Sequence, residues 1–546
     1  MKKTSKHFYL IPLLVIFIFS IGYGNSYGKS FFYKASVVRQ QCAACHKSDS
    51  DGAIEVIEET RKTPEEWNAV ITRMIRLNSA PVEESKFYPV IKELSKYLCL
   101  SPQEMAKVSY INSDENSQYR EIPANKEEER IYTACVRCHT YGKIASHRMT
   151  ESQWEETRNL HLGYYPTTVP QMREMDWPKE SKELVKPLSN LFPFDSPSWK
   201  KWLKNRKEQN LSGKWKTAGY QPGMGYYEGT YTFKANPAKG EDEYFIEKQI
   251  KYENGTIIKM GGEATLYGEY HLRYRLAPSS LMGRIEGVFD LNVADNEFRG
   301  KWWTVIQDSN AYGDETFVKL GNKLNVIAHY PGALKADSNS VQNLTLIGTN
   351  FPSKISKKDI KFSDSNVKIE KLKRIDSTKL ICALRVANKT AVGKRVLTLK
   401  VKKAAYKQGI TVFDQIDGIE IFPAIGRARV SSGAAYPPHG VQFVTRAINF
   451  GKDLKPNTKD DLILEPVDAQ WALEEVVTRE NDDDLKYLNA PITNGLYTPV
   501  STYGPIEERA QRREGVGLIG VRASYGSLKA KARLVVTVPD FIPHIK

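Results

Sequence analysis

Two stretches of the chain set paired thiols beside an imidazole: Gln41-Cys-Ala-Ala-Cys-His46 and, within Ile131–His139, Cys135-Val-Arg-Cys-His139. Both read Cys-x-x-Cys-His. In that pattern each cysteine can bond one haem vinyl group and the adjacent histidine can supply the proximal iron ligand. Cys42, Cys45 and His46 would hold one c-type haem, and Cys135, Cys138 and His139 a second. A lone Cys-x-x-Cys would fit zinc or a disulfide as well. Two copies, each with the histidine directly attached, favour haem.

A longer repeat surrounds the motifs. Arg61-x-Thr63 is followed by Trp67 and Met74, and Arg148-x-Thr150 by Trp154 and His161, with identical spacings in both halves. The step from Trp to the last residue is about two helical turns, so the two share a helix face. Met74 and His161 are both competent iron ligands, which predicts axial pairs His46/Met74 and His139/His161. Met105 competes for the first position; His147, Met149, Met172 and Met175 compete for the second. Two six-coordinate irons lack an open position for oxygen or peroxide and suit electron transfer.

The elements that must carry these residues are helical. Pro64–Leu77, Glu83–Leu98 and Glu151–Leu160 place apolar residues at helical spacing. Thr63-Pro-Glu-Glu66 is a helix start with a capping Thr and Pro in the first turn, and Thr150-Glu-Ser-Gln153 matches it. The aromatic and Pro-rich stretch through Gly163-Tyr-Tyr-Pro, Trp177-Pro and Phe192-Pro-Phe reads as turns over a haem edge, and Ser196–Gln209 as a last helix. At Leu211 the texture changes to short alternating strands: Tyr226–Phe233, Tyr244–Tyr252, Thr256–Met260, Glu263–Leu266, His271–Leu276, Arg284–Asp290 and Glu297–Ile306. Asn254-Gly255 is a hairpin signal. Trp215, in Ser-Gly-Lys-Trp, is expected to pack a barrel core.

The fold expected is therefore multidomain, α plus all-β. Residues 29–210 form an α-helical dihaem cytochrome c domain and 211–333 an antiparallel β-barrel. Residues 334–414 and 415–546 each form an immunoglobulin-like β-sandwich. The β region presents no nucleophile–base set, phosphate loop or metal cluster. His329 and His439 read as structural, and Asn481–Asp484 as a solvated acidic turn. Cys99, near a helix end, and Cys382, in a strand, read as buried apolar residues rather than as a disulfide.

The N-terminus reads as an export signal: Met1-Lys-Lys, the apolar run Phe8–Ile21, then small residues before a cut after Gly28. The run is short against the roughly 20 residues of a membrane span. With no later segment apolar enough to cross, the expectation is a soluble periplasmic chain. Of 546 residues, 41% are hydrophobic and 26% charged, which excludes wholesale disorder. The formal charge is +15; loss of residues 1–28 removes Lys2, Lys3 and Lys6 and no acid, leaving +12. The basic residues are scattered among acids, which suits an acidic protein partner and gives nucleic-acid binding little support.

Taken together, Cys42-Ala-Ala-Cys-His46, Arg61-Lys-Thr-Pro-Glu-Glu-Trp67 with Met74, Cys135-Val-Arg-Cys-His139, Trp154 with His161-Leu-Gly-Tyr-Tyr-Pro and the Leu211-Ser-Gly-Lys-Trp215 start resemble the α subunit of quinohaemoprotein amine dehydrogenase. The resemblance spans nearly the whole mature chain. It implies a partner β-propeller subunit and a small γ subunit carrying cysteine tryptophylquinone, which oxidises a primary amine to aldehyde and ammonia. It also implies that this chain holds none of the catalytic residues. Its two haems would pass electrons to a soluble cytochrome c or blue copper protein. The rivals are a stand-alone periplasmic dihaem cytochrome with β docking domains, a dihaem peroxidase, and a non-redox β-sandwich binding protein that leaves the haem motifs unexplained. Two covalent haems per chain are expected from a haem stain and a pyridine haemochrome assay; one or none contradicts the double motif.

Overall fold

The computed structural model describes residues 30–112, 121, 123–136, 139–172, 174–278, 284–292, 296–304, 311–321, 323–401, 404–430, 438–478, 480, 482–488, 490–499, 505–506, 509–513 and 515–537. The expected signal peptide, Cys138 and Asn481 lie outside them.

The first part is helical, as its spacing predicts: α1 (Val37–Cys42), α2 (Pro64–Asn78), α3 (Phe87–Tyr97), α4 (Pro102–Met105), α5 (Lys126–Cys135), α6 (Tyr141–Ala145), α7 (Glu151–Tyr164), α8 (Thr168–Gln171), α9 (Trp177–Leu191) and α10 (Pro197–Asn205). Thr63 Oγ1 accepts from Glu66 N and Thr150 Oγ1 from Gln153 N, both at 3.3 Å, so α2 and α7 start on equivalent caps. Two apolar clusters divide the region. One joins Cys42 and Trp67 to Val90, Ile91 and Leu94; the other joins Trp154 to Ile131, Ala134, Leu184 and Leu188, with Cys135 packed against it.

The stretch read as turns from Trp177 is instead the helix α9. Asp176 Oδ1 accepts from Lys179 N at 3.2 Å, and Pro178 takes the first turn, where a missing N–H costs nothing. Leu184, Val185 and Leu188 face the second cluster. Pro178 and Pro187 masked this apolar spacing. The helix expected over Glu83–Leu98 begins later, at Phe87, after a 3₁₀ turn at Glu84–Lys86.

Two short strands join the halves. β1 (Thr60–Arg61) pairs antiparallel with β2 (Arg148–Met149), setting Arg61 opposite Arg148. The arginines of the two repeats thus meet across a ladder, and both reach one carboxylate. Glu104 Oε2 accepts from Arg61 Nη1 at 2.8 Å; Oε1 accepts from Arg61 Nη2 and from Arg148 Nε, both at 3.0 Å. Glu104 also closes a capping box, accepting from Ser101 N at 2.7 Å, and accepts from Ser196 Oγ at 2.7 Å. Arg61 is 0% exposed, Arg148 5% and Glu104 7%, so the triad is held out of water. Arg61 also lies 4.4 Å from the Trp199 ring centroid, and Arg148 5.3 Å from that of Phe192.

Eight antiparallel strands then close a barrel: β3 (Gly213–Gln221), β4 (Gly225–Ala235), β5 (Glu243–Tyr252), β6 (Ile257–Tyr267), β7 (His271–Pro278), β8 (Ile285–Asn292), β9 (Glu297–Thr304) and β10 (Tyr312–Lys319), with β10 pairing back to β3. The two segments expected at Thr256–Met260 and Glu263–Leu266 are one strand, β6. Gly262 did not break it: a Cβ there would lie 2.0 Å from Arg275 O, so the glycine permits the close approach of β7. Trp215, 1% exposed, packs with Phe233, Phe298 and Phe317 inside the barrel. Beside them Lys248 Nζ pairs with Glu315 Oε2 at 2.6 Å among the rings of Tyr227, Tyr231, Tyr274 and Trp302. The barrel is tied to the helices by Arg273 on Glu65 and by Tyr270 Oη donating to Leu100 O.

Two four-stranded sheets follow around one core: β11 (Asn325–Tyr330), β13 (Asp337–Thr349), β16 (Lys379–Val386) and β15 (Val367–Arg374) in one, β12 (Ala333–Lys335), β18 (Ala404–Phe413), β17 (Gly393–Val401) and β14 (Ile360–Phe362) in the other. Cys382 lies in that core as a thiol, and Cys99, also a thiol, lies just past α3, so no disulfide joins them. The last part again pairs two sheets, Gly418–Phe422/Val444–Asn449/Leu462–Pro466 and Ile425–Arg429/Leu528–Thr537/Gly517–Tyr525/Gln470–Glu475, with apolar residues of both in one cluster. Among the described residues no helix is long and apolar enough to cross a membrane.

The two arginines and the Ser101 amide hold Glu104 against the desolvation of burial, and its pKa falls to about 2 from 4.5. Folding favours the deprotonated carboxylate, so the stabilisation is complete above the unfolded value and drains away as pH falls toward 2. The shift corresponds to about 3 kcal/mol. Chemical unfolding at pH 5 and at pH 2.5 should show Glu104→Gln losing about 2 kcal/mol less across the interval than the parent chain, since part of the effect lies below pH 2.5; parallel losses contradict this.

Candidate haem-binding site

The first motif begins at the end of α1. Ser36 caps that helix, and Glu93 of α3 accepts from Ser36 Oγ and Val38 N, both at 2.9 Å, which fixes α1 against α3. Cys42 O accepts from Cys45 N at 3.2 Å and from His46 N at 3.0 Å, so the motif turns back on its first cysteine. Cys42 is buried, and burial with nearby Glu93 pushes its thiol up to about 11; Cys45 is exposed and His46 half-buried. Gln41 clasps the segment ahead of α3, accepting from Glu83 N at 3.0 Å.

Trp67 lies inside the first cluster and donates to Leu98 O at 2.9 Å. Met74, two turns on, is half-buried, with Asn78 Nδ2 3.8 Å from its sulfur. Met105, the competitor, is 0% exposed in the cluster continuous with the barrel interior, where a packing role accounts for it.

In the second half the structure brings two predicted ligands close together, their rings tilted at 54°. The His139 and His161 ring centroids are 6.3 Å apart. Two imidazoles on opposite sides of one metal ion, each nitrogen about 2.0 Å from it, put their centroids about 6 Å apart. His139 Nδ1 lies 3.1 Å from Thr140 O and His161 Nδ1 2.7 Å from Thr157 O. A carbonyl can only accept, so Nδ1 carries the hydrogen in both rings and Nε2 keeps its lone pair for a metal. Burial holds the His139 pKa below its ordinary value, which keeps that ring neutral. Trp177 and Tyr165 flank His161 at centroid distances of 6.1 and 5.9 Å.

Of the competitors, His147 turns toward the other half, whereas Met149 and Met175 share the cluster of Trp154 and Cys135. His147 Nδ1 is 2.5 Å from Lys143 O, and its Nε2 is 3.6 Å from Glu66 Oε2 on α2, in the other half. Met149 is buried and its sulfur accepts from Thr157 Oγ1 at 3.4 Å; Met172 is buried and Met175 packs against the second cluster. Cys135 ends α5 with burial pushing its thiol up to about 12; Cys138 falls outside the described residues.

Two further observations show that the residues fit a haem. Trp154 Nε1 and Tyr141 Oη are buried without a hydrogen-bond partner among the described residues, and both side chains belong to the cluster that Cys135 touches. A porphyrin carboxylate would satisfy such donors. Leu77 and Tyr164, three residues beyond Met74 and His161, are 55% and 58% exposed. The repeat thus leaves a large side chain uncovered at the same place on each helix, on the face that would meet a macrocycle.

Sequence reasoning missed Glu104 and the meeting of Arg61 with Arg148. The signal for Glu104 was present: Ser101-Pro-Gln-Glu104 is a capping-box pattern, which names a helix start but not its partners. The arginines were legible as repeat positions without a role. Among the described residues no group of three His, Cys, Asp or Glu could hold a metal ion.

Three family models match the chain. That for quinohemoprotein amine dehydrogenase A, alpha subunit, haem binding, matches residues 33–199; those for alpha subunit domain II and domain IV match 208–316 and 419–544. No curated protein matches the chain significantly. Among solved structures, a redesigned β-barrel is 15% identical and covers 20% of this chain and 92% of its own, at a TM-score of 0.18. The Bacteroides ovatus mixed-linkage glucan utilization locus SGBP-B is 7% identical over 60% of this chain and 62% of its own, also at 0.18. The Yersinia pseudotuberculosis adhesin InvE is 14% identical over 39% and 60%, at 0.14. With three alpha-subunit models matched in chain order, the first of them over both Cys-x-x-Cys-His motifs and helices α2 and α7, this chain belongs to the quinohemoprotein amine dehydrogenase alpha-subunit family.

Proposed function

We propose that this chain is the dihaem electron-transfer subunit of a periplasmic amine dehydrogenase. The observation that carries the reading is the pair His139 and His161, with ring centroids 6.3 Å apart, the spacing of two imidazoles on one ion, and with Nδ1 of each on a backbone carbonyl so that Nε2 keeps its lone pair. Cys42 and Cys45 would hold one c-type haem and Cys135 and Cys138 the other, with His46 and Met74, and His139 and His161, supplying the protein ligands to the two irons. Haem iron supplies reversible one-electron chemistry when bound, and two such sites match the two electrons released by oxidation of one amine. The chain's own residues bind, orient and insulate. The backbone carbonyls of Thr140 and Thr157 fix the ring tautomers, the α2 and α7 caps fix the register of Met74 and His161, and the apolar clusters exclude water.

The unlike pairs have a consequence. A thioether ligand favours ferrous iron and raises the potential, whereas a second imidazole leaves it lower, other things equal. On this reading the oxidising chemistry lies on a partner: a small γ subunit bearing cysteine tryptophylquinone, accompanied by a β-propeller subunit. Electrons leave to a soluble cytochrome c or blue copper protein, which a mature chain of formal charge +12, the full +15 less Lys2, Lys3 and Lys6, suits if that partner is acidic. Residues 1–28 serve export and are removed, and the paired sheets after the barrel are immunoglobulin-like sandwiches that support assembly.

Replacement of single ligands separates the two sites. Met74→Ala should keep two haems per chain and lose the weak methionine–iron charge-transfer band at the red end of the visible spectrum. His161→Ala should keep that band and convert the other haem to high spin. Survival of the band in Met74→Ala moves the first distal ligand to another residue.

A further inference from the structure

The two helices that carry the distal positions share one anchor. Arg61 stands two residues before the cap of α2, and Arg148 two residues before the cap of α7. The β1–β2 ladder sets them opposite one another, and Glu104 takes both. Every favourable direction around that carboxylate is used: Oε1 receives Arg61 Nη2, Arg148 Nε and Ser196 Oγ, and Oε2 receives Arg61 Nη1 and Ser101 N. The guanidiniums are tied in turn to the backbone, Arg61 to Phe194 O at 2.7 Å and Cys99 O at 3.2 Å, Arg148 to Ala145 O at 2.5 Å and His147 O at 2.8 Å. One helix would need only one arginine to be held. Here each repeat brings its own, and a residue outside both repeats joins them.

Burying three charged groups is a poor route to stability, since an apolar cluster of equal volume often does as well. What a fully satisfied buried ionic cluster supplies is one fixed arrangement of the elements that contribute to it. The elements fixed here are the starts of α2 and α7, and hence the placement of Met74 and His161 two turns and more along each. The triad also carries one net positive charge at the seam.

We infer that Glu104 is a positioning residue that couples the two haem sites, so that a displacement at one helix start is transmitted to the distal ligand of the other. The inference rests on the dihaem reading above. It requires no proton movement and no group beyond the two haems: one electron leaves a ferrous centre and reduces a ferric one across a seam whose geometry Glu104 sets.

The test uses the full holo chain and three readouts. A pyridine haemochrome assay counts haems, the charge-transfer band and low-spin electron paramagnetic resonance signals report each site, and pulse reduction follows electron equilibration between them. Glu104→Gln should retain two haems, shift the signatures of both sites together, and slow equilibration about tenfold, as small misplacements of reacting centres do. Arg148→Lys, which touches only the second repeat's arginine, should shift the charge-transfer band of the first site as well as the signal of the second. That variant carries the test if Glu104→Gln fails to assemble. If Arg148→Lys changes the second site alone, or Glu104→Gln leaves both signatures and the rate unaltered, the coupling role is wrong. A parent chain with fewer than two haems would instead overturn the dihaem reading.

Discussion

A single buried carboxylate between two guanidiniums is the constraint on which the helical region depends. Charges removed from water are tolerated only when each is paired and its remaining hydrogen-bonding groups are satisfied. Glu104 meets that condition with five donors, and it meets it only when β1 lies against β2 in the observed register. A slip of that ladder would leave a guanidinium buried without its carboxylate, at a cost of several kcal/mol. The register in turn sets the caps at Thr63 and Thr150, and the caps set where Met74 and His161 come to lie. The sequence repeat explains why two arginines are present, one ahead of each cap. The single glutamate bonds both arginines and so ties the starts of α2 and α7 together.

The barrel adjoins the helical region. The barrel interior is filled by Trp215 and its ring neighbours, with the Lys248–Glu315 pair beside them, so its side chains occupy the space that ligand-binding barrels leave open. Its outer face docks on the helices through Arg273 and Tyr270, close to the Cys99–Leu100 segment that also meets Arg61. The barrel therefore packs beside the β1–β2 seam, in a chain whose family is the quinohemoprotein amine dehydrogenase alpha subunit.

Much of this was legible in the residues. The haem motifs, the Arg–Thr–Trp–ligand repeat, the caps of α2 and α7 and the alternating strands of the barrel are local patterns, and local patterns survive translation into structure. What was not legible is of two kinds. Helix α9 was hidden because Pro178 and Pro187 look like breakers, although the first sits where a helix start tolerates proline and Leu184, Val185 and Leu188 outweigh the second. Likewise Gly262 looked like a break within β6, when its role is to let β7 approach. The other kind is long-range: Glu104 lies 43 residues from Arg61 and 44 from Arg148, and no spacing rule connects them. The closeness of His139 and His161 lies between the two kinds. Each residue was nominated by its motif, but their 6.3 Å separation is a tertiary contact that no spacing rule gives.

The central claim is that this chain relays electrons from amine oxidation performed on a partner. The most direct measurement is to isolate the native complex through this chain, add a primary amine without any other reductant, and follow the haem absorbance in a rapid-mixing experiment. The account predicts a quinone-bearing small chain in the complex and ferric haem in this chain becoming ferrous, two electrons per amine oxidised. Amine consumed by the complex while both haems of this chain remain ferric would contradict it.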